Sequence, residues 1–195
     1  GINAGDNSIT LTDGANDFQD TVALTNTGVA NLVSITDQDG LTLGTLSLGG
    51  GLTVISGGTT PGSLNLGTGT IGGALSATSN DGAITQTAGG LDIGGDSTIT
   101  ADGNGVAITL DDDGNDFFGW VKLNASTGDN TDSNDITFVD SGGIDFSDDA
   151  NAAGKLEINT DSGDLNVSGA LIVKATSGAV IDTDNLLVTG ASSFT

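Results

Sequence analysis

Six aspartates lie at spacings that could hold a calcium ion. Four belong to the run DDDGND, and the other two occupy the equivalent places 99 residues earlier, in the run DGAND. Ca²⁺ takes six to eight oxygen ligands, and carboxylates at this density could supply several of them. No later Glu closes an EF-hand loop, so solvated turns that oppose aggregation are the alternative interpretation. The candidate calcium ligands are Asp13, Asp17, Asp111, Asp112, Asp113 and Asp116.

A group of aromatic residues forms the second candidate site. Phe117, Phe118 and Trp120 lie close together, and Phe18 is their one counterpart earlier in the chain. Trp120, the only Trp, would be the centre of a ligand-binding surface for sugars. The alternative is that these rings pack together at a corner of the fold, because aromatic side chains bury large apolar areas.

The rest of the composition excludes several classes of function. The absence of His and Cys removes the usual ligands of zinc, copper, iron–sulfur and haem sites, and the usual nucleophilic triads. Three basic residues against 26 acidic ones give a net charge of −23, which opposes binding to nucleic acid or to anionic membranes. Paired carboxylates can hydrolyse glycosides, but an active site is not expected to be spread over near-identical repeats. We predict that the chain is not an enzyme, binds no nucleic acid and does not insert into membranes.

Short strands must position these residues. Apolar residues alternate with small polar ones, as in Ile9-Thr10-Leu11, Leu64-Asn65-Leu66 and Ile136-Thr137-Phe138. This period of two is typical of strands, and 33 glycines disfavour helices. The sequence predicts an all-β fold.

The chain is also a tandem repeat. The run ITLTDGANDF at 9–18 recurs as ITLDDDGNDF at 108–117, and the four residues at 97–100 match those at 192–195. We therefore divide the chain into two continuous β-solenoid repeat units, residues 1–100 and 101–195.

Turn residues separate the strands at regular intervals, which fits either a parallel β-solenoid or a β-sandwich of hairpins. The strands are very short, and the insertions fall in the turns, which favours the solenoid. Coils of about 20 residues would give about ten coils and, at a spacing of about 4.8 Å, a rod about 50 Å long.

The runs ITLTDGANDF, ITLDDDGNDF, GAITQTAGGLDIGG and LLVTGASSFT resemble the repeats of large bacterial surface proteins of the filamentous-haemagglutinin-like adhesin type. The resemblance covers both units. It implies a right-handed parallel β-helix, secretion to the extracellular space or the bacterial cell surface, and service as the shaft of a surface fibre. It brings no catalytic residues.

We therefore expect a non-enzymatic structural module that projects or links cells. Its expected partners are neighbouring repeats, copies of itself joined end to end or side by side, and host or cell-surface glycans. A glycan-binding module on a β-helix and a calcium-dependent matrix protein are the alternatives. Calcium is the one cofactor that the sequence suggests.

Overall fold

The computed structural model describes residues 1–103, 105–125, 135–142, 144–145, 156–158, 165–167, 171–175, 180–181, 186–188 and 191–195. Every regular element in these ranges is a strand, which confirms the all-β prediction. In the same ranges no helix is long and apolar enough to cross a membrane.

The strands are short and numerous. The first eight are β1 (Ile2–Asn3), β2 (Ile9–Leu11), β3 (Val22–Asn26), β4 (Val33–Thr36), β5 (Leu41–Leu48), β6 (Leu52–Ser56), β7 (Leu64–Asn65) and β8 (Thr68–Ile71). The next eight are β9 (Leu75–Asn80), β10 (Ile84–Thr85), β11 (Leu91–Ile93), β12 (Ser97–Asp102), β13 (Ile108–Leu110), β14 (Asp116–Phe117), β15 (Val121–Ala125) and β16 (Ile136–Asp140). The remainder are β17 (Ile144–Asp145), β18 (Leu156–Ile158), β19 (Leu165–Val167), β20 (Leu171–Ala175), β21 (Val180–Ile181), β22 (Leu186–Val188) and β23 (Ser192–Phe194).

Three parallel ladders organise these strands. Sheet A contains β1, β3, the second half of β5, β8, β11 and β14. Sheet B contains β2, β4, β6, β9, β12, β15 and β18, and sheet C contains the start of β5, then β7, β10, β13, β16, β20 and β23. Two further parallel pairs join β17 to β21 and β19 to β22. Every strand pair of the described residues is parallel, so the fold is a β-solenoid and not a sandwich of hairpins, which would need antiparallel pairs.

Each regular coil of the solenoid passes through sheets A, B and C in turn. The first coil contains β1 and β2, and the second contains β3, β4 and the start of β5. In sheet A, Leu24 pairs with Leu46, and Leu46 pairs with Gly69. One regular coil therefore takes 22 or 23 residues at these positions.

The predicted number of coils, about ten, is too high, because the solenoid has about six turns. Cross-strand partners are not evenly spaced in the sequence. Val33 pairs with Leu52, 19 residues later, whereas Ile136 pairs with Leu171, 35 residues later. Insertions between strands thus lengthen a coil without adding another. With strands about 4.8 Å apart, the stack is about 30 Å long rather than about 50 Å.

A single hydrophobic core fills the space between the three sheets. Its ladders are visible in sheet B, where Val33, Leu52 and Leu75 are in register and are all buried. Phe117 of sheet A meets Phe138 of sheet C inside the core, with ring centroids 5.0 Å apart. Alternation along each strand places small polar residues outside, as the exposed Thr53 between Leu52 and Val54 illustrates.

The sequence repeat is out of phase with the coils. Ile9 begins β2 in sheet B, whereas its equivalent Ile108 begins β13 in sheet C. Val22 lies in sheet A, and its equivalent Val121 lies in sheet B. One sequence repeat therefore spans four complete coils and the additional step from one sheet to the next. The division at residue 100 is a division of the sequence, and β12 crosses it with partners on both sides.

Candidate functional site

The repeated motif ITLxDxxNDF forms a turn at a corner of the solenoid, and its first acidic residue fixes that turn. Asp13 Oδ1 accepts a hydrogen bond from Ala15 N at 2.9 Å, and Asp112 Oδ1 accepts the equivalent bond from Gly114 N at 2.8 Å. Asp112 Oδ2 also accepts from Gly89 N of the preceding coil at 2.8 Å. The N–H groups of Gly89 and Gly114 lower the pKa of Asp112, because they stabilise the charged carboxylate.

The Asn of the motif joins two coils. Asn16 Nδ2 donates to Leu11 O at 3.1 Å and to Thr36 O of the next coil at 3.3 Å. Asn115 repeats the arrangement with Leu110 O at 3.4 Å and Val139 O at 3.2 Å. The side chain of Asn115 is completely buried, and its Oδ1 accepts from Leu91 N at 2.9 Å. This amide therefore satisfies backbone groups that would otherwise be buried without partners.

The Phe that ends the motif donates its N–H to a buried aspartate of the next coil. Phe18 N donates to Asp37 Oδ2 at 3.2 Å, and Phe117 N donates to Asp140 Oδ1 at 3.0 Å. Neither aspartate was a candidate from the sequence. The available signal was that each directly follows an apolar strand, in the runs VSITD and ITFVD.

Burial raises the pKa of both aspartates, since desolvation penalises the charged form. A neighbouring carboxylate adds to this effect in each case, Asp39 beside Asp37 and Asp116 beside Asp140. The two corners differ in their hydrogen bonds. Asp140 uses both oxygens, because Gly142 N donates to its Oδ2 at 3.1 Å, whereas Asp37 Oδ1 is buried without a hydrogen-bond partner.

The same corner of the first repeat gathers three carboxylates. Asp17, Asp37 and Asp39 each place an oxygen within 4.8 Å of the other two. Among the described residues, no other group of three potential metal ligands is this close. Asp17 is exposed, Asp39 is half-buried and Asp37 is fully buried, so the group opens toward solvent on one side.

Of the six aspartates predicted to bind calcium, Asp17 alone belongs to this group. Asp13 and Asp112 act in their turns, as described above. Asp111 is exposed, Asp113 forms an exposed ion pair with Lys174, and Asp116 is half-buried beside Asp140. Calcium binding by the run 111–116 stays a prediction from the sequence, and the described geometry places its carboxylates in separate interactions.

The three aromatic residues of the second candidate site have different environments. Phe117 is buried in the core, whereas the side chain of Phe118 is 57% exposed. Trp120 is half-buried, and its backbone N–H donates to Asp96 Oδ1 at 3.0 Å. The packing interpretation therefore describes Phe117, whereas Phe118 and Trp120 of this group retain solvent exposure.

These ladders and recurring corners define a repeat protein of the β-solenoid class. The chain is similar to a family described as "Repeats of unknown function (DUF5649)", whose model matches residues 1–25 and 58–124. The matched segments contain the first copy of the repeated motif, the second copy, and most of the strands between them. No curated protein and no solved structure matches the chain.

Proposed function

We propose that the chain is a non-enzymatic structural module, the shaft of a secreted or cell-surface adhesin or fibre. The observation that supports this proposal is the continuity of the three parallel ladders along the solenoid axis. In such a stack each coil contacts only its neighbours, so the same design can be extended coil by coil to any length. A rod that can be extended in this way suits a shaft that holds other domains at a distance from the cell.

Hydrogen bonds along the axis make this rod resistant to bending. Backbone bonds connect the strands of successive coils, and side chains add links at the corners. Asn16 and Asn115 each bridge two coils, and Ser56 Oγ donates to Asp39 O of the coil before it at 2.7 Å. Because these bonds are buried or partly buried, water competes poorly for them.

The surface charge supports service outside the cell among other fibres. A net charge of −23 keeps like rods apart over a Debye length of about 8 Å at physiological salt. The proposed partners are coils of the same kind that add to the ends of the ladders, from the same polypeptide or from another copy. Side-by-side contacts between rods would need this repulsion to be screened.

Antibodies against the chain test the proposal on cells that make it. We expect labelling of intact cells, and negative-stain images in which antibody sites lie along a filament between the cell and its tip. Labelling that requires permeabilised cells would contradict the surface location. Label confined to compact particles would contradict the shaft.

Glycan binding is a second candidate function, and the exposure of Phe118 beside half-buried Trp120 favours it. Aromatic faces of this kind can stack on apolar faces of sugar rings. A glycan array should then give reproducible ligands, and Trp120→Ala and Phe118→Ala should each weaken binding at least tenfold. Phe194→Ala, which removes another partly exposed ring, serves as the control.

A further inference from the structure

We propose that Asp17, Asp37 and Asp39 form a calcium site that joins the first two coils of the solenoid. Asp17 follows the turn of the first coil, whereas Asp37 and Asp39 follow β4 in the second coil. A bound cation would therefore connect two coils in the same place where Asn16 and Phe18 already connect them. This inference does not depend on the proposed shaft function.

The spacing of the three carboxylates suits a single Ca²⁺ ion. Their nearest oxygens lie within 4.8 Å of one another. Calcium binds oxygen at 2.3–2.6 Å, so two ligands on opposite sides of the ion are separated by about 5 Å or less. Mg²⁺ binds at about 2.0–2.1 Å, so two oxygens bound to one Mg²⁺ lie about 4.2 Å apart at most. A spacing of up to 4.8 Å therefore suits the larger Ca²⁺ better.

The strongest indication of a ligand is the unpartnered oxygen of Asp37. Asp37 has a relative exposure of 0%, its Oδ2 accepts from Phe18 N, and its Oδ1 has no hydrogen-bond partner. A buried carboxylate oxygen without a partner costs considerable free energy. A cation bound to Oδ1 would supply the missing interaction and would offset the repulsion between the three carboxylates.

The other two aspartates leave the site open to ions and water. Asp17 is exposed, and its Oδ1 accepts from Gln19 Nε2, so Oδ2 is the oxygen that remains for a cation. Asp37 likewise has one oxygen left, because its Oδ2 accepts from Phe18 N. Three carboxylates, two of them limited to a single oxygen, cannot supply all six to eight ligands, and water must complete the shell. We therefore expect an affinity typical of extracellular calcium modules, with a Kd on the order of 10⁻⁴–10⁻³ M.

The second repeat contains the same corner without this site. Asp116 and Asp140 occupy the places of Asp17 and Asp37, but Gly142 stands where the first repeat has Asp39. Gly142 N donates to Asp140 Oδ2, so both oxygens of Asp140 are satisfied. We therefore expect one calcium ion at the two corners and not two.

Isothermal titration of the full chain with CaCl₂ tests the proposal, after treatment with a chelator and dialysis into 150 mM NaCl. The salt screens weak binding to the acidic surface. We expect a single site with a stoichiometry near one, a rise in Tm on addition of calcium, and at least tenfold weaker binding of Mg²⁺. No saturable binding, a stoichiometry of two, or equal affinity for Mg²⁺ would overturn the proposal.

Two variants locate the site, and a third controls for charge. Asp39→Gly copies the second repeat, and Asp39→Asn keeps the shape of the side chain; each should weaken calcium binding at least tenfold while the far-UV circular dichroism is retained. Asp92→Asn removes one charge from an exposed position of β11 and should bind calcium like the unsubstituted chain. If the Asp39 variants and Asp92→Asn have the same affinity, the binding is a property of the general acidic surface and the proposal is wrong.

Discussion

Asn115 shows how a single polar side chain can hold three strands of a solenoid together. Its Nδ2 donates to Leu110 O and Val139 O, and its Oδ1 accepts from Leu91 N. These partners lie on three strands of two successive coils, in sheets A and C, and the amide that joins them is completely buried. The repeat motif therefore places its most buried polar group at the point where neighbouring coils meet.

Replacement of Asn115 by Ala should destabilise the protein strongly. The change leaves two carbonyl oxygens and one N–H buried without this partner, and each such group costs about 1–3 kcal/mol. We expect the free energy of unfolding to fall by about 3 kcal/mol or more, measured by urea denaturation. Asn16→Ala is the matched comparison, because Asn16 is only half-buried, and it should cost about 1 kcal/mol. Equal losses would show that burial of the bridge is unimportant.

Asp140 should make stability depend on pH. Burial raises its pKa in the folded protein above that of an unfolded chain, so the folded state binds the proton more tightly. The stabilising contribution of its protonated form is complete below about pH 4, and it is lost as the pH rises through the folded pKa. The unfolding free energy of the unsubstituted chain, minus that of Asp140→Asn, should therefore be more positive at pH 4.5 than at pH 7. A difference that does not change with pH would contradict this assignment.

At the scale of the element, the close approach of successive coils restricts the turns. Gly67 follows β7 with a φ of +71°, and a Cβ at this position would lie 2.1 Å from Gly44 O of the coil before it. Two requirements therefore coincide at Gly67, a left-handed backbone and the absence of a side chain.

Gly67→Ala should separate these requirements when it is compared with Gly5→Ala. Gly5 also has a positive φ, of +55°, but nothing lies within 4 Å of a Cβ built there. We expect Gly5→Ala to cost about 1 kcal/mol, from backbone strain alone. Gly67→Ala adds a clash with backbone that cannot move without shifting a coil, and it should cost about 3 kcal/mol or more. Thermal unfolding monitored by circular dichroism measures both, and similar Tm values would contradict the argument.

The strands could be predicted from the sequence, whereas the length of a coil could not. Alternation around Ile9, Leu52 and Leu64 places strands where β2, β6 and β7 lie, because a buried inner face and a solvated outer face impose a period of two. The number of residues between stacked strands depends on how far each turn bulges outward. That distance is set by packing between coils, and it varies from 19 residues to 36 residues between partners.

The dependence of coil length on packing also explains why the candidate site was only partly predicted from the sequence. The sequence identified Asp17 through the density of acidic residues around the repeated motif. Asp37 and Asp39 lie about one coil further along, and their contact with Asp17 depends on the register of stacked coils. No local pattern encodes that register, so two of the three carboxylates were missed.

At the scale of the whole molecule, the offset between the sequence repeat and the coils determines in which sheet each repeated residue lies. Equivalent residues such as Val22 and Val121 lie in sheets A and B, so one repeat rotates the pattern by about a third of a turn. A series of such repeats would distribute its turns and charges over all three faces. Repulsion between neighbouring rods would then have no preferred direction, which is consistent with the proposed shaft function.

Distances between spin labels test this rotation, and the absence of native Cys makes labelling specific. Thr10 and Thr98 are both exposed in sheet B and are connected by register through Ser34, Thr53 and Ser76, four coils apart. Labels at this pair should be separated mainly along the axis, by about 20 Å.

Thr12 and Asp111 are exposed equivalents in the two copies of the motif, and they follow strands of sheets B and C. Their axial separation is similar, but a strand of even three residues spans about 10 Å, and this sideways offset should lengthen the label–label distance by at least about 2 Å. Equal distances for the two pairs would mean that the repeats are in phase with the coils, and the charges of successive repeats would then line up along one edge of the rod.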